Sequence, residues 1–131
     1  ATEALHSMIR VFDLDRSIEF YRQALDLQVA GRFEFESFTL VYLRNDRSPF
    51  ELELVANHDA SGPYDLGSGY GHFAVRVDHL EGERDRMTGL GLSPEGIKEL
   101  SHGGELIGRY FFLTDPDGYR VEVLERAGRF A

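Results

Sequence analysis

The 131-residue chain is 42% hydrophobic and carries 23 acidic against 14 basic residues, for a formal net charge of −9. That is enough apolar material for one compact domain, or for two half-sized modules sharing a core, and too much negative charge for a nucleic-acid or anionic-membrane partner. The chain has no cysteine, so metal chemistry falls to His, Asp and Glu; with no apolar leader and no apolar run of about 18 residues, a soluble, cytoplasmic protein is expected.

The first predicted element is a strand through His6-Ser-Met-Ile-Arg10-Val11. A helix follows, capped by Asp13 or Asp15, with Leu14, Ile18, Tyr21 and Leu25 on one stripe of a roughly 3.6-residue period. Residues 33–38, 39–44 and 50–55 read as three strands, with 45–49 as the turn before the last. Residues 57–69, rich in Gly and Pro and poor in apolar side chains, read as a linker. The pattern then starts again. Residues 70–77 form a strand and 81–90 a helix, and residues 110–114 join 119–125 through Asp115-Pro-Asp-Gly118, where Pro116 and Gly118 suit a tight turn.

The recurrence extends to individual residues. His72-Phe-Ala-Val-Arg76-Val77 repeats His6-Ser-Met-Ile-Arg10-Val11 in its His, Arg and Val, and Leu80 repeats Leu14. Late in each half a glutamate stands between apolar neighbours, Leu52-Glu53-Leu54 and Val121-Glu122-Val123. The chain therefore reads as two tandem βαβββ modules of an α+β fold, the second slightly longer. Their bounds are residues 4–57 and 70–127, joined by a linker over 58–69 within a single domain spanning 1–131.

Strand alternation places His6, Met8 and Arg10 on one face and Ser7, Ile9 and Val11 on the other, and separates His72, Ala74 and Arg76 from Phe73, Val75 and Val77. Glu53 opposes the row Phe50, Leu52 and Leu54, and Glu122 opposes Tyr119, Val121 and Val123. The apolar rows belong under the helices, so both His/Glu pairs lie on the face that the helices leave open. One histidine at a strand start is usually just a satisfied polar residue, and one Glu among aliphatics can point outward from an edge. Two such pairs at matching positions point instead to a cation, because buried carboxylates are costly unless paired or metal-bound. Two His and two carboxylates satisfy a borderline divalent ion and leave room for water in an octahedral shell.

These residues resemble glyoxalase I, within the vicinal oxygen chelate superfamily that also holds the bleomycin-resistance proteins. The likeness covers almost the whole chain. It is carried by residues 6–21, by Glu53-Leu-Val-Ala-Asn57, by Tyr64-Asp-Leu-Gly-Ser-Gly-Tyr-Gly-His72 and by Asp115-Pro-Asp-Gly-Tyr-Arg-Val-Glu122. The first or last stretch alone is shared across the superfamily, whereas Gly-Tyr-Gly-His and all four ligands favour glyoxalase I.

The resemblance implies that His6, Glu53, His72 and Glu122 hold a divalent metal, with Arg10 and Asn57 meeting the glutathione part of a methylglyoxal hemithioacetal. It implies a homodimer in which each site draws His6 and Glu53 from one subunit and His72 and Glu122 from the other. The short chain is similar to bacterial nickel- or cobalt-activated members more than to longer zinc forms. The implied reaction moves a proton from C1 to C2 through an enediolate, with Glu122 as base and Glu53 able to serve the other substrate face. Two departures stand out: Asp26 replaces a common glycine, and His102, in a lengthened 95–109 loop, stands where a lysine is usual. Alternative readings are a metal-dependent epimerase or isomerase of another small carbonyl or thioester compound, and a non-enzymatic drug-binding module.

Overall fold

Burial alternates from the first strand onward: in β1 (His6–Arg10) the side chains of His6, Met8 and Arg10 are exposed, while Ile9 and the following Val11 are buried. The computed structural model describes residues 1–131. Asp13 turns the chain into α1 (Leu14–Leu25), its carboxylate accepting the Arg16 N–H at 3.1 Å and so satisfying a first-turn amide that has no partner within the helix. At the other end Asp26 takes the left-handed conformation, φ 54°, and donates its N–H to the Arg22 carbonyl, while Leu27 N–H reaches the Tyr21 carbonyl. That is the role a glycine usually fills in such a helix stop.

Of the predicted α1 stripe only Tyr21 is fully buried. The buried face consists of Ser17, Phe20, Tyr21 and Ala24, with Leu14, Ile18 and Leu25 half-exposed at its flanks. Ser17 and Ala24 carry almost no hydrophobic signal of their own, so a reading based on large apolar residues shifts the face sideways.

The unit Ala1–Leu66 continues with β2 (Gln28–Glu34), β3 (Phe38–Arg44) and β4 (Glu51–Asn57), in sheet order β1-β4-β3-β2. β1 runs parallel to β4 and the other neighbours are antiparallel. The strand expected at 33–38 is displaced: β2 ends at Glu34, and residues 35–37 turn the chain, with Phe35 N–H donating to the Phe38 carbonyl at 2.8 Å and the two rings stacked 4.7 Å apart. No β2 side chain is buried, so the strand lacks the alternation by which a half-buried strand is recognised. Leu52 and Leu54 are fully buried and face α1, but Phe50 precedes β4 and is 36% exposed, which removes it from the expected row.

The unit Gly67–Ala131 repeats this topology. β5 (His72–Val77), α2 (Leu80–Gly89), β6 (Lys98–His102), β7 (Glu105–Thr114) and β8 (Arg120–Glu125) give the sheet order β5-β8-β7-β6, with β5 parallel to β8. Both units are therefore βαβββ, and a short 3-10 turn, Gly128–Phe130, follows β8. The predicted turn forms around Asp115, whose buried carboxylate accepts the N–H groups of Asp117 and Tyr119 at 2.9 and 2.8 Å, with Gly118 at φ 99°. Residues 95–109 are not a loop. They contain the β6–β7 hairpin, turned by Gly103 and Gly104 at φ 59° and 81°, and flanked by the paired residues His102 and Glu105. Two consecutive positive φ values are what a tight hairpin turn needs and what paired glycines supply.

The helices pack on the inner rows of their own sheets, α1 on β4 and β2, and α2 on β7 and β8. Val41, Leu43, Leu52 and Leu54 in the first unit, and Phe111, Leu113, Val121 and Val123 in the second, have no exposed surface. Each contributes about 1.5–3 kcal/mol by leaving water. No helix is long and apolar enough to cross a membrane.

Candidate metal centre

In the first unit His6 Nε2 lies 3.4 Å from Glu53 Oε2, and in the second His72 Nε2 lies 3.5 Å from Glu122 Oε1. The strand register explains the match. His6 pairs with Glu51 and Met8 with Glu53, while His72 pairs with Arg120 and Ala74 with Glu122. In each unit the glutamate thus sits two residues beyond the histidine's partner, on the face away from the helix. The histidines are 38% exposed and the glutamates 12% and 18%, so each carboxylate is shielded while its imidazole edge is open.

Both separations exceed the roughly 2.7–2.9 Å of a charge-assisted hydrogen bond. Each Nε2 and carboxylate oxygen converge without closing on one another. Two donors at bonds of about 2.0–2.2 Å to a common borderline cation stand roughly 3.0–3.5 Å apart, so imidazole nitrogen and carboxylate oxygen suit such an ion in both chemistry and separation. Each unit brings together one His and one Glu, and nowhere does a group of three or more potential ligands form.

Arg10 and Asn57 obey the same register. Arg10 pairs with Val55, so its placement relative to Asn57 repeats that of His6 relative to Glu53. Asn57 Nδ2 donates to the Tyr64 hydroxyl at 3.1 Å, tying the end of β4 to the following segment. The counterpart of Arg10 in the second unit, Arg76, donates to the Phe130 and Ala131 carbonyls at 3.2 and 3.4 Å. Arg109 pairs with Glu81 at 2.6 Å, Glu99 at 3.2 Å and Glu125, and Glu81 and Glu125 raise its pKa, with the Glu81 hydrogen bond foremost. It is already neutralised.

Sequence reasoning missed the residues that surround the glutamates. Tyr42 is the direct cross-strand partner of Glu53, and Phe112 of Glu122. His6 meets the Tyr42 ring edge-on at 5.8 Å, and His72 meets Phe112 the same way at 5.0 Å. The Tyr42 hydroxyl is directed at Glu53, and that hydrogen bond, more than burial or the charges of Glu53 and Glu51, lifts the phenol pKa above its ordinary value. Arg120 lays its guanidinium 4.1 Å from the Phe112 ring centre and pairs with Glu95 at 2.7 Å. A cavity of about 170 Å³ opens beside Glu122, walled by Gly108, Tyr110, Phe112 and Phe130. A Cβ on Gly108 would come within 3.1 Å of the Phe130 ring, so glycine is what lets that ring lie over β7. The hairpin pairing of each glutamate with an aromatic was the available signal, and it required the register.

Residues 4–123 match the family described as the Glyoxalase/Bleomycin resistance protein/Dioxygenase superfamily. The chain belongs to this superfamily, and its relatives place it there as a glyoxalase I-like enzyme. It is 30% identical over 131 residues to a probable lactoylglutathione lyase of Synechocystis, covering 95% of this chain and 96% of that protein. It is 35% identical over 127 residues to the lactoylglutathione lyase of Haemophilus influenzae, covering 94% and 92%. Among solved structures it resembles the trypanothione-dependent glyoxalase I of Leishmania major, with a TM-score of 0.76 at 32% identity over 95% of this chain and 87% of that one.

Proposed function

We propose that the chain is a metal-dependent lyase of the glyoxalase I type, isomerising the hemithioacetal of methylglyoxal and glutathione, or of another thiol, to a 2-hydroxyacyl thioester. The observation that carries this reading is the His/Glu pair built twice with one register, at 3.4 and 3.5 Å, in a chain related over nearly its full length to lactoylglutathione lyases. His6, Glu53, His72 and Glu122 would hold the ion, nickel or cobalt in preference to zinc. Because each unit contributes two ligands, the sites are completed in a homodimer, His6 and Glu53 of one subunit facing His72 and Glu122 of the other. Both units belong to one domain.

The chemistry a bound divalent ion supplies is polarisation of the substrate oxygens. Glu122 takes the C1 proton and returns it to C2, a task for a carboxylate within hydrogen-bond reach of both carbons. Arg10 and Asn57, on the face of His6 and Glu53, orient the thiol portion. Arg10 also offsets its negative charge, which an acidic chain must do locally. The partner thiol varies among relatives, the Leishmania enzyme being trypanothione-dependent, and with Arg109 paired to three carboxylates the exposed Lys98 is the remaining candidate cation of the hairpin, so weaker selectivity for glutathione is expected.

Apoprotein reconstituted with nickel, cobalt or zinc and assayed on methylglyoxal should turn over only when thiol is added. Absence of turnover with any thiol adduct in all three forms overturns the reading. Turnover of a different carbonyl or thioester compound in the same assays would replace it with an epimerase or isomerase.

A further inference from the structure

The two glutamates are equivalent by topology but not by surroundings, and the difference lies in one hydroxyl. We propose that Tyr42 is a positioning residue that keeps Glu53 in the metal-holding role and leaves Glu122, opposite Phe112, as the carboxylate that moves the proton. This rests on the metal-dependent reading above and adds a division of labour between its two carboxylates.

Tyr42 and Glu53 are paired across β3 and β4, so their side chains leave the sheet together on the face of His6. A hydroxyl donated to a carboxylate occupies one of its lone pairs and restrains its rotamer. Directed at Glu53, the Tyr42 phenol therefore holds that carboxylate against the His6 edge. Phe112 occupies the matching position opposite Glu122 and has no hydrogen-bonding group to offer. Its ring is fixed between His72 and the Arg120 guanidinium. Beside Glu122 lies the cavity of about 170 Å³, space into which the carboxylate can swing toward a substrate carbon without displacing packed atoms. A proton carrier has to move between metal and carbon, whereas a pure ligand gains from being held.

Tyr42→Phe keeps the ring and removes only the hydroxyl. Titration of the apoprotein with Co2+ should show binding about 10-fold weaker than wild type, the usual scale for losing a partner that orients a ligand. In Tyr42→Phe/Glu122→Gln, the freed Glu53 should take up proton transfer, so the double variant should turn over several-fold faster than Glu122→Gln alone. An unchanged Co2+ affinity, or a double variant no faster than Glu122→Gln, overturns the proposal. Phe112→Tyr tests it from the other side: a hydroxyl opposite Glu122 should lower kcat while Co2+ affinity holds, and an unchanged kcat counts against it. If wild type binds Co2+ and Tyr42→Phe binds it equally well, only this division of labour falls. If wild type binds none, the metal reading falls and the inference with it.

Discussion

Two units share one topology and one His/Glu geometry, yet their glutamates have different neighbours. In Ala1–Leu66 the pair sits against a tyrosine whose hydroxyl meets Glu53, and the arginine of the same strand face, Arg10, lies opposite Val55, two residues short of Asn57. In Gly67–Ala131 the pair sits against a phenylalanine and borders a cavity, and the equivalent arginine, Arg76, is spent on the carbonyls of Phe130 and Ala131. The two units share what the backbone register dictates, the placement of one histidine and one glutamate. The residues on adjoining strands differ, and on the division of labour proposed above one half serves to hold and the other to react.

The largest expected effect separates the two carboxylates. Glu122→Gln should lower kcat by about 10²–10⁴-fold, the range for losing a general base, whereas Glu53→Gln should act first on metal content. Equal kcat losses with equal metal retention, by steady-state kinetics and elemental analysis, would erase the distinction. The cores should behave alike. Leu43→Ala and Leu113→Ala each empty a fully buried position on matching strands, at a cost of about 2–5 kcal/mol read from urea denaturation. A loss confined to one variant would show that the two sheets are not equally load-sharing.

The arginines should differ by a smaller margin. Arg10→Ala should raise KM about 10-fold with little change in kcat, the pattern for an interaction made equally in ground and transition states. Arg76→Ala, already occupied by backbone carbonyls, should leave KM nearly unchanged, and a KM effect as large as that of Arg10→Ala would reverse the assignment. The smallest effects are at the helix starts. Asp13 caps α1 through Arg16 N–H, but His79 at the start of α2 makes no side-chain cap bond. Asp13→Ala should cost about 1 kcal/mol, and His79→Asp should stabilise by about 0.5–1 kcal/mol, both measurable as shifts in thermal midpoint.

The sequence made the repeated architecture legible because period-two burial on β1, β4 and β8 is written in alternating residues, and because the Asp115–Gly118 turn uses residues with few other conformational homes. It misplaced β2, where every side chain stays accessible and no alternation forms. It also missed the β6–β7 hairpin, whose strands flank Gly103-Gly104 but whose first strand, Lys98–His102, is exposed throughout. Of the candidate site, the four ligand-type residues could be read from their repeat positions. Tyr42 and Phe112 could not, since facing a glutamate across a hairpin depends on register, and register follows from turn lengths that the chain does not announce.

On the function proposed above, each half-site is completed by the complementary half of a second subunit. His6→Ala and His72→Ala proteins, each inactive alone, can be mixed in equal amounts under conditions where subunit exchange is demonstrated. In a heterodimer one site collects both substitutions and the other collects neither, so random exchange should restore about a quarter of wild-type activity. Complete absence of rescue despite exchange would contradict the claim.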